Sequence, residues 1–324
     1  MEIDITLDGR PMYLVASCLG DGDTGGGLLY YDGKGWIALD DVATTGLCVS
    51  GNELIRMLWA PRQVAEGTAI LHYNAGGLER QIRVEGLMDP HDVLWDGRHY
   101  IAVSSLQDSV VWVSSEGRAM RRYQPAQGDD CWHLNCLLLH ESVLYATAFG
   151  RFAEPRGWVP HKLEGTGMLF LVDTGADVLS GICCPHTPRR VGDDWIVCSS
   201  ATSELLVFRA GRHETPERVQ LQDWVRGLAI TDRHIFAGES VNRQLTTEVR
   251  NATVAVLDRG TKAVLGRLTL PYREVYDIVP VSPELLSGLM RSQSPRDLWC
   301  PPEIPAESSG YSPSTGNASS TLPG

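Results

Sequence analysis

Residues 91–123 read HDVLWDGRHYIAVSSLQDSVVWVSSEGRAMRRY. Four short apolar or alternating runs are separated by DG, LQD and SEG, which are turn sequences. Each run is too short for a helix, and a 3.6-residue apolar period is missing. The stretch therefore reads as four antiparallel strands, and it recurs. TPRRVGDDWIVCSSATSELLVFRAG starts at Thr187, and RGLAITDRHIFAGES at Arg226, followed by NATVAVLDRGTKAVLGRL. LNCLLLHESVLYATAFG starts at Leu134, followed by GMLFLVDTGADVL. A weaker copy from Thr45 holds GLCVSGNELIRMLWA and TAILHYNAGG. Unit starts fall near 44, 91, 134, 186, 226 and 275. That spacing matches the ~40–50 residues of a four-stranded propeller blade.

The two ends complete the count. EVYDIVPVS (274–282) opens a unit that runs out near Met290. MYLVASCL, LLYYDG and GWIALD, near the N-terminus, look like the outer strands it lacks. The expected fold is all-β: a six-bladed β-propeller over residues 1–290, one blade closed by strands from both termini, with almost no helix. Seven blades is the alternative, should PELLSGLM and ITLDG form strands of their own. The tail, 291–324, is rich in Pro, Ser and Gly and is expected to be disordered.

The chain has 324 residues, with 28 Lys plus Arg against 40 Asp plus Glu, a net charge of −12. That balance argues against a nucleic-acid partner. Apolar runs are too short to span a membrane. The opening MEIDITLDGRP has no apolar secretory core, so the expectation is a cytoplasmic protein. Its eight cysteines include no CxxC pair and sit mostly in strand-like runs, as reduced, buried thiols do. Cys183 and Cys184 read as a buried strand end.

In a propeller the innermost strand of each blade lines the channel, and its first residues lie at one mouth. Polar residues at equivalent unit starts then converge: Asp89 and His91, His133 and Asn135, His186, Arg226, and Glu274 with Asp277. Convergent titratable groups in a concavity are a functional-site signal. The three histidines are expected to share one structural position and to point into one end of the channel. Neutral imidazoles of His91, His133 and His186 suit a divalent metal (Zn, Mn, Fe or Ca), with Asn135 or Asp277 as oxygen ligands. Arg226 or Arg189 would hold a carboxylate or phosphate. Glu274 is the acid/base candidate, and without metal His133 or His186 could act as base. Two long insertions, 151–165 and 242–251, open on the same face and bring Trp158 and Arg243 to a ligand. His72, His99, His140, His213 and His234 read as ordinary structural residues.

Other patterns are discounted. GDGDTGG (20–26) fits GxGxxG, but a strand follows instead of a helix, so no nucleotide cofactor is expected. Asp21 and Asp23 lack EF-hand spacing. No GxSxG, Walker A or HExxH occurs. Cys131 and Cys136 in CWHLNC are five apart and would point to opposite strand faces.

HDV (91), WHLN (132–135), TAFG (147), GW (157), PHTPR (185–189), SSATSEL (199), RGLA (226), GESVNR (238) and REVYD (273–277) succeed one another in the order found in a known family. By that series the chain resembles an uncharacterised bacterial β-propeller family known only as a domain of unknown function. Its matching segments read close to HLNG, PHSPR, SGTGEL, RGL, GLSxxR and EIYDV. The resemblance covers roughly residues 12–288. Cys136 stands where that family usually has Gly, and Glu239 where it has Leu. It implies a fold and a site but no reaction. More distantly the architecture is similar to NHL, strictosidine synthase and gluconolactonase propellers, an analogy of fold only. The residues leave two function classes. One is a small-molecule enzyme (lyase, isomerase or hydrolase) acting on an anionic substrate at the channel mouth. The other is a non-catalytic propeller that binds a small ligand or a partner protein. The enzyme is the preferred reading.

Overall fold

A computed structural model describes residues 3–20, 25–59, 68–126, 128–241 and 250–295. Six four-stranded antiparallel sheets stand around a channel. Five are continuous in sequence: blade 1 (44–84), blade 2 (90–123), blade 3 (134–182), blade 4 (185–220) and blade 5 (224–269). The sixth takes its innermost strand, Glu274–Val281, from the C-terminal part of the chain. Its outer strands, Tyr13–Leu19, Gly26–Tyr31 and Trp36–Ala38, come from the N-terminal part. Glu274 pairs with Leu19 and Val281 with Tyr13, so both ends of the chain close one blade.

The seven-blade alternative fails for a local reason. PELLSGLM is a helix, Pro283–Arg291, capped by the Ser282 side chain, which accepts from the Leu285 amide, with Pro283 in the first turn. ITLDG contributes only a two-residue strand, Thr6–Leu7, paired with Arg10–Pro11 outside the blades. The helix also moves the boundary expected at 290. Arg291 donates to the Ala75 carbonyl at 2.5 Å, and the Ser292 hydroxyl accepts from the Leu78 amide at 2.9 Å. The remainder of the predicted tail, from 296 on, lies outside the described residues, as do Asp21, Asp23 and Arg243.

Why the strands read as unbroken apolar runs is clear from the packing. A blade is buried on both faces, and side chains alternate between them. Along Tyr13–Leu19, Leu14, Ala16 and Cys18 pack against blade 5, while Val15 packs against blade 1. Each of the six blade-to-blade interfaces holds its own apolar cluster. The outermost strand of blade 4, RHETPERVQ (212–220), is exposed and charged, which discourages edge-to-edge association.

Every innermost strand carries a register shift in its first few residues: 44/47, 90/93, 134/137, 186/189, 225/228 and 275/277. A bulge at one position, repeated six times, turns side chains that would otherwise alternate regularly. Side chains at these bulges stitch one blade to the next. Asp92 Oδ2 accepts from the Leu137 amide at 2.8 Å, and Thr187 Oγ1 from the Gly227 amide at 3.0 Å.

Candidate active site at the channel mouth

The ladder register fixes which positions correspond. Pro90, Leu134 and Pro185 are the equivalent first residues of their strands. His91, Asn135 and His186 therefore share a position, and His133 sits two residues before Asn135. The expected equivalence of three histidines fails there. His133 reaches the mouth by a different route, with a left-handed backbone (φ 52°) just before its strand.

The rings nevertheless gather. His91 and His133 have centroids 5.4 Å apart, and Tyr276 lies 5.6 Å from His91. Phe149 stands between His133 (4.3 Å) and His186 (5.2 Å). Trp158 covers His133 at 4.7 Å, and Trp224 lies 6.0 Å from His186. All three histidines are buried.

Each imidazole is held by Nδ1. His133 Nδ1 lies 2.6 Å from Asp130 Oδ1, which also accepts from Trp158 Nε1 at 3.1 Å. His186 Nδ1 lies 3.2 Å from the Cys184 carbonyl and 2.7 Å from the Ser200 hydroxyl. That hydroxyl donates to the Val225 carbonyl, so it can only accept from the ring. His91 Nδ1 lies 3.1 Å from the Asp89 carbonyl. Carbonyls and carboxylates only accept, so Nδ1 carries a proton in all three, and in a neutral ring Nε2 is then the basic atom. Burial pushes the His186 pKa well below the usual imidazole value, and the charges of Arg226, His91 and His133 add to it.

Opposite the histidines, Arg226 pairs with Glu274. Its Nε donates to the Val275 carbonyl at 2.9 Å and to Ser240 Oγ at 3.2 Å. The guanidinium carbon lies 3.7 Å from the Tyr276 ring centre. Burial works against the Arg226 charge, but Tyr276 and Glu274 outweigh it and the pKa rises.

A second charged layer lies deeper. Asp277 Oδ1 accepts from the Ile278 amide at 2.9 Å and from Arg189 Nη2 at 3.2 Å. Arg189 also donates to the Leu228 and Pro188 carbonyls. Burial, with Asp277 close by, pushes Asp92 up to about 8, and burial raises Asp277 too. Of these two carboxyl groups only Asp277 meets the Arg189 guanidinium, and their shared burial disfavours charging both. Asn135 is fully buried, its Oδ1 accepting from Thr147 and its Nδ2 donating to the His133 carbonyl. Asp277, Arg189 and Asn135, assigned to a ligand from sequence, already have protein partners.

Among the described residues, the only three potential ligand groups whose donor atoms lie within 4.8 Å of one another are those of Glu53, His72 and Glu79. His91, His133 and His186 do not form such a set.

Sequence reasoning missed Asp130, Phe149 and Tyr276, and carried Ser200 only within the SSATSEL segment. Asp130 stands three residues before His133 in GDDCWH, a readable spacing. Ser200 and Tyr276 meet the rings only through blade geometry.

The fold and this mouth define a six-bladed β-propeller with a histidine-lined channel. The chain belongs to the family described as a domain of unknown function, DUF4915, which matches residues 38–287. No curated protein matches it. Among solved structures it is similar to a chain of a nidogen/laminin complex, with a TM-score of 0.59, 9% identity, and coverage of 83% of this chain and 98% of that one. It is also similar to a protein of unknown function from Bacteroides caccae, with a TM-score of 0.56, 11% identity, and coverage of 84% and 99%. At such identities the likeness is one of fold. No helix among the described residues is long and apolar enough to cross a membrane.

Proposed function

We propose that the channel mouth binds a small hydroxy-carboxylate, of sugar-acid type, and moves a proton on it. The carrying observation is the tautomer: acceptors behind the rings hold Nδ1–H and leave Nε2 of His133 and His186 as the base. A carboxylate behind an imidazole, as Asp130 is behind His133, fixes ring and tautomer as in hydrolase triads. Arg226 and Glu274 offer a donor fork and an acceptor side by side, which suits a molecule bearing both carboxylate and hydroxyl groups. Trp158 and Phe149 exclude water from one side. The chemistry is that of a lyase, isomerase or hydrolase, with His133 as base, His186 as neutral partner and Arg226 as anchor. Imidazoles spread as these are perform it without a shared metal.

The test is proton exchange. In D2O, with a panel of hydroxy-carboxylates, NMR should show loss of a carbon-bound proton or formation of product. H133Q should slow this by about 10²–10⁴, the usual contribution of a general base. Tight binding with no exchange and no product would favour the non-catalytic propeller.

A further inference from the structure

The strands of a blade run alternately toward and away from the mouth, so the start of a second strand lies at the far end. Glu53 opens the second strand of blade 1, Glu53–Leu58. His72 lies near the end of the third, Thr68–Asn74. Glu79 lies near the start of the fourth, Gly77–Val84. Their donor atoms lie within 4.8 Å of one another, at the end of the propeller opposite the histidine mouth.

Three observations mark this cluster. First, His72 is 1% exposed, and its Nε2 has no hydrogen-bond partner although it is buried. It lies 3.5 Å from Glu53 Oε1, and Nδ1 is engaged with the Tyr100 hydroxyl at 2.7 Å. Two ligand atoms on a tetrahedral zinc ion sit about 3.4 Å apart, given bonds of about 2.0–2.2 Å. The His72–Glu53 separation already has that value.

Second, a bulge turns Glu79 to this place. His72 pairs with Arg80 and Tyr73 with Leu78, so Glu79 is the extra residue of the outer strand. Asn74 Nδ2 orients its carboxylate, donating to Oε2 at 2.8 Å.

Third, the Nδ1 contact with the Tyr100 hydroxyl leaves two tautomers open to a neutral ring. One that receives the Tyr100 proton at Nδ1 aims its Nε2–H at Glu53 across 3.5 Å, longer than a good hydrogen bond. One that donates to Tyr100 would aim a lone pair at a carboxylate, an arrangement a cation relieves. The nearby positive charge of Arg80, 3.2 Å from Glu79 Oε1, opposes a cation, but its side chain is 42% exposed and screened by water.

We propose that Glu53, His72 and Glu79 form a divalent-cation site, with one imidazole nitrogen and two carboxylate oxygens as protein ligands and water in the open positions. That donor set suits a borderline transition ion, and zinc is the probe.

The test uses the full chain, freed of metal with chelator and titrated with Zn2+ by calorimetry and equilibrium dialysis. Wild type should bind an equivalent that E79Q and E53Q each weaken at least tenfold. Both substitutions lie on side chains with solvent access, and unchanged circular dichroism and melting would show that the variants fold. H186A, at the mouth, should retain this equivalent. The proposal is overturned if wild type binds no Zn2+, if both glutamate variants bind it undiminished, or if H186A alone removes it. The imidazole 15N signal of His72 gives a second readout: it should shift on adding Zn2+ to wild type, and an unmoved signal with metal bound counts against the site.

Discussion

His186 shows how its surroundings set a side chain's chemistry. Its folded pKa is depressed, so the unfolded chain takes up the proton first. Stability from this group is therefore present at neutral pH and is lost as pH falls through about 6.5, where a free imidazole titrates. Imidazole 15N shifts should report a neutral Nδ1–H ring at pH 6.5, and half-protonation there would refute the environment described. Arg56 makes the opposite case, a charge kept buried by full satisfaction. Its guanidinium meets Asp40 twice, at 2.5 and 2.7 Å, and also reaches Thr44 Oγ1 and the Val42 carbonyl. Removing one partner of such a pair strands the other. R56A should cost about 3–5 kcal/mol in denaturant unfolding, and a loss below about 1 kcal/mol would show that Asp40 is well solvated without it.

At the scale of the strand, the repeated bulge explains how far the site was legible. Short apolar runs and turn residues located all six innermost strands, because those signals are local. The residues that would converge were legible too, since the repeat makes distant positions equivalent. Their roles were not. A bulge adds one residue and rotates the side chains beyond it, and only the folded chain shows that Asp277 meets Arg189 and Asn135 meets Thr147. No pattern in the sequence announces that extra residue. The bulge also brings neighbouring strands close. At Gly46 an added Cβ would lie 2.6 Å from Asp92 Cα and 2.7 Å from the Val93 nitrogen. G46A should lower stability by about 1–3 kcal/mol, the usual cost of overpacking, and a melting temperature equal to wild type would mean that blades 1 and 2 part easily there. The helix at 283–291 escaped notice because its nine residues, with one apolar face, come directly after a strand.

For the whole molecule, closure is the property to test. Deleting residues 1–40 removes three strands of the sixth blade and exposes the outer edge of Glu274–Val281 as well as the facing sides of blades 1 and 5. The ring should then lose its cooperative melting transition and aggregate. A soluble truncation with a sharp transition would show that five blades and a lone strand suffice.

That closure also sets a timetable during synthesis. Tyr13–Leu19 leaves the ribosome early, yet its inner partner, Glu274–Val281, is the last of the blade strands to be made. At about 5–20 residues per second the interval is on the order of ten seconds to a minute. Throughout it, a strand that is almost wholly buried in the finished ring waits with one edge unpaired. The nascent chain is thus most vulnerable to association just before Glu274–Val281 emerges, and slow translation of blade 5 would lengthen the exposure.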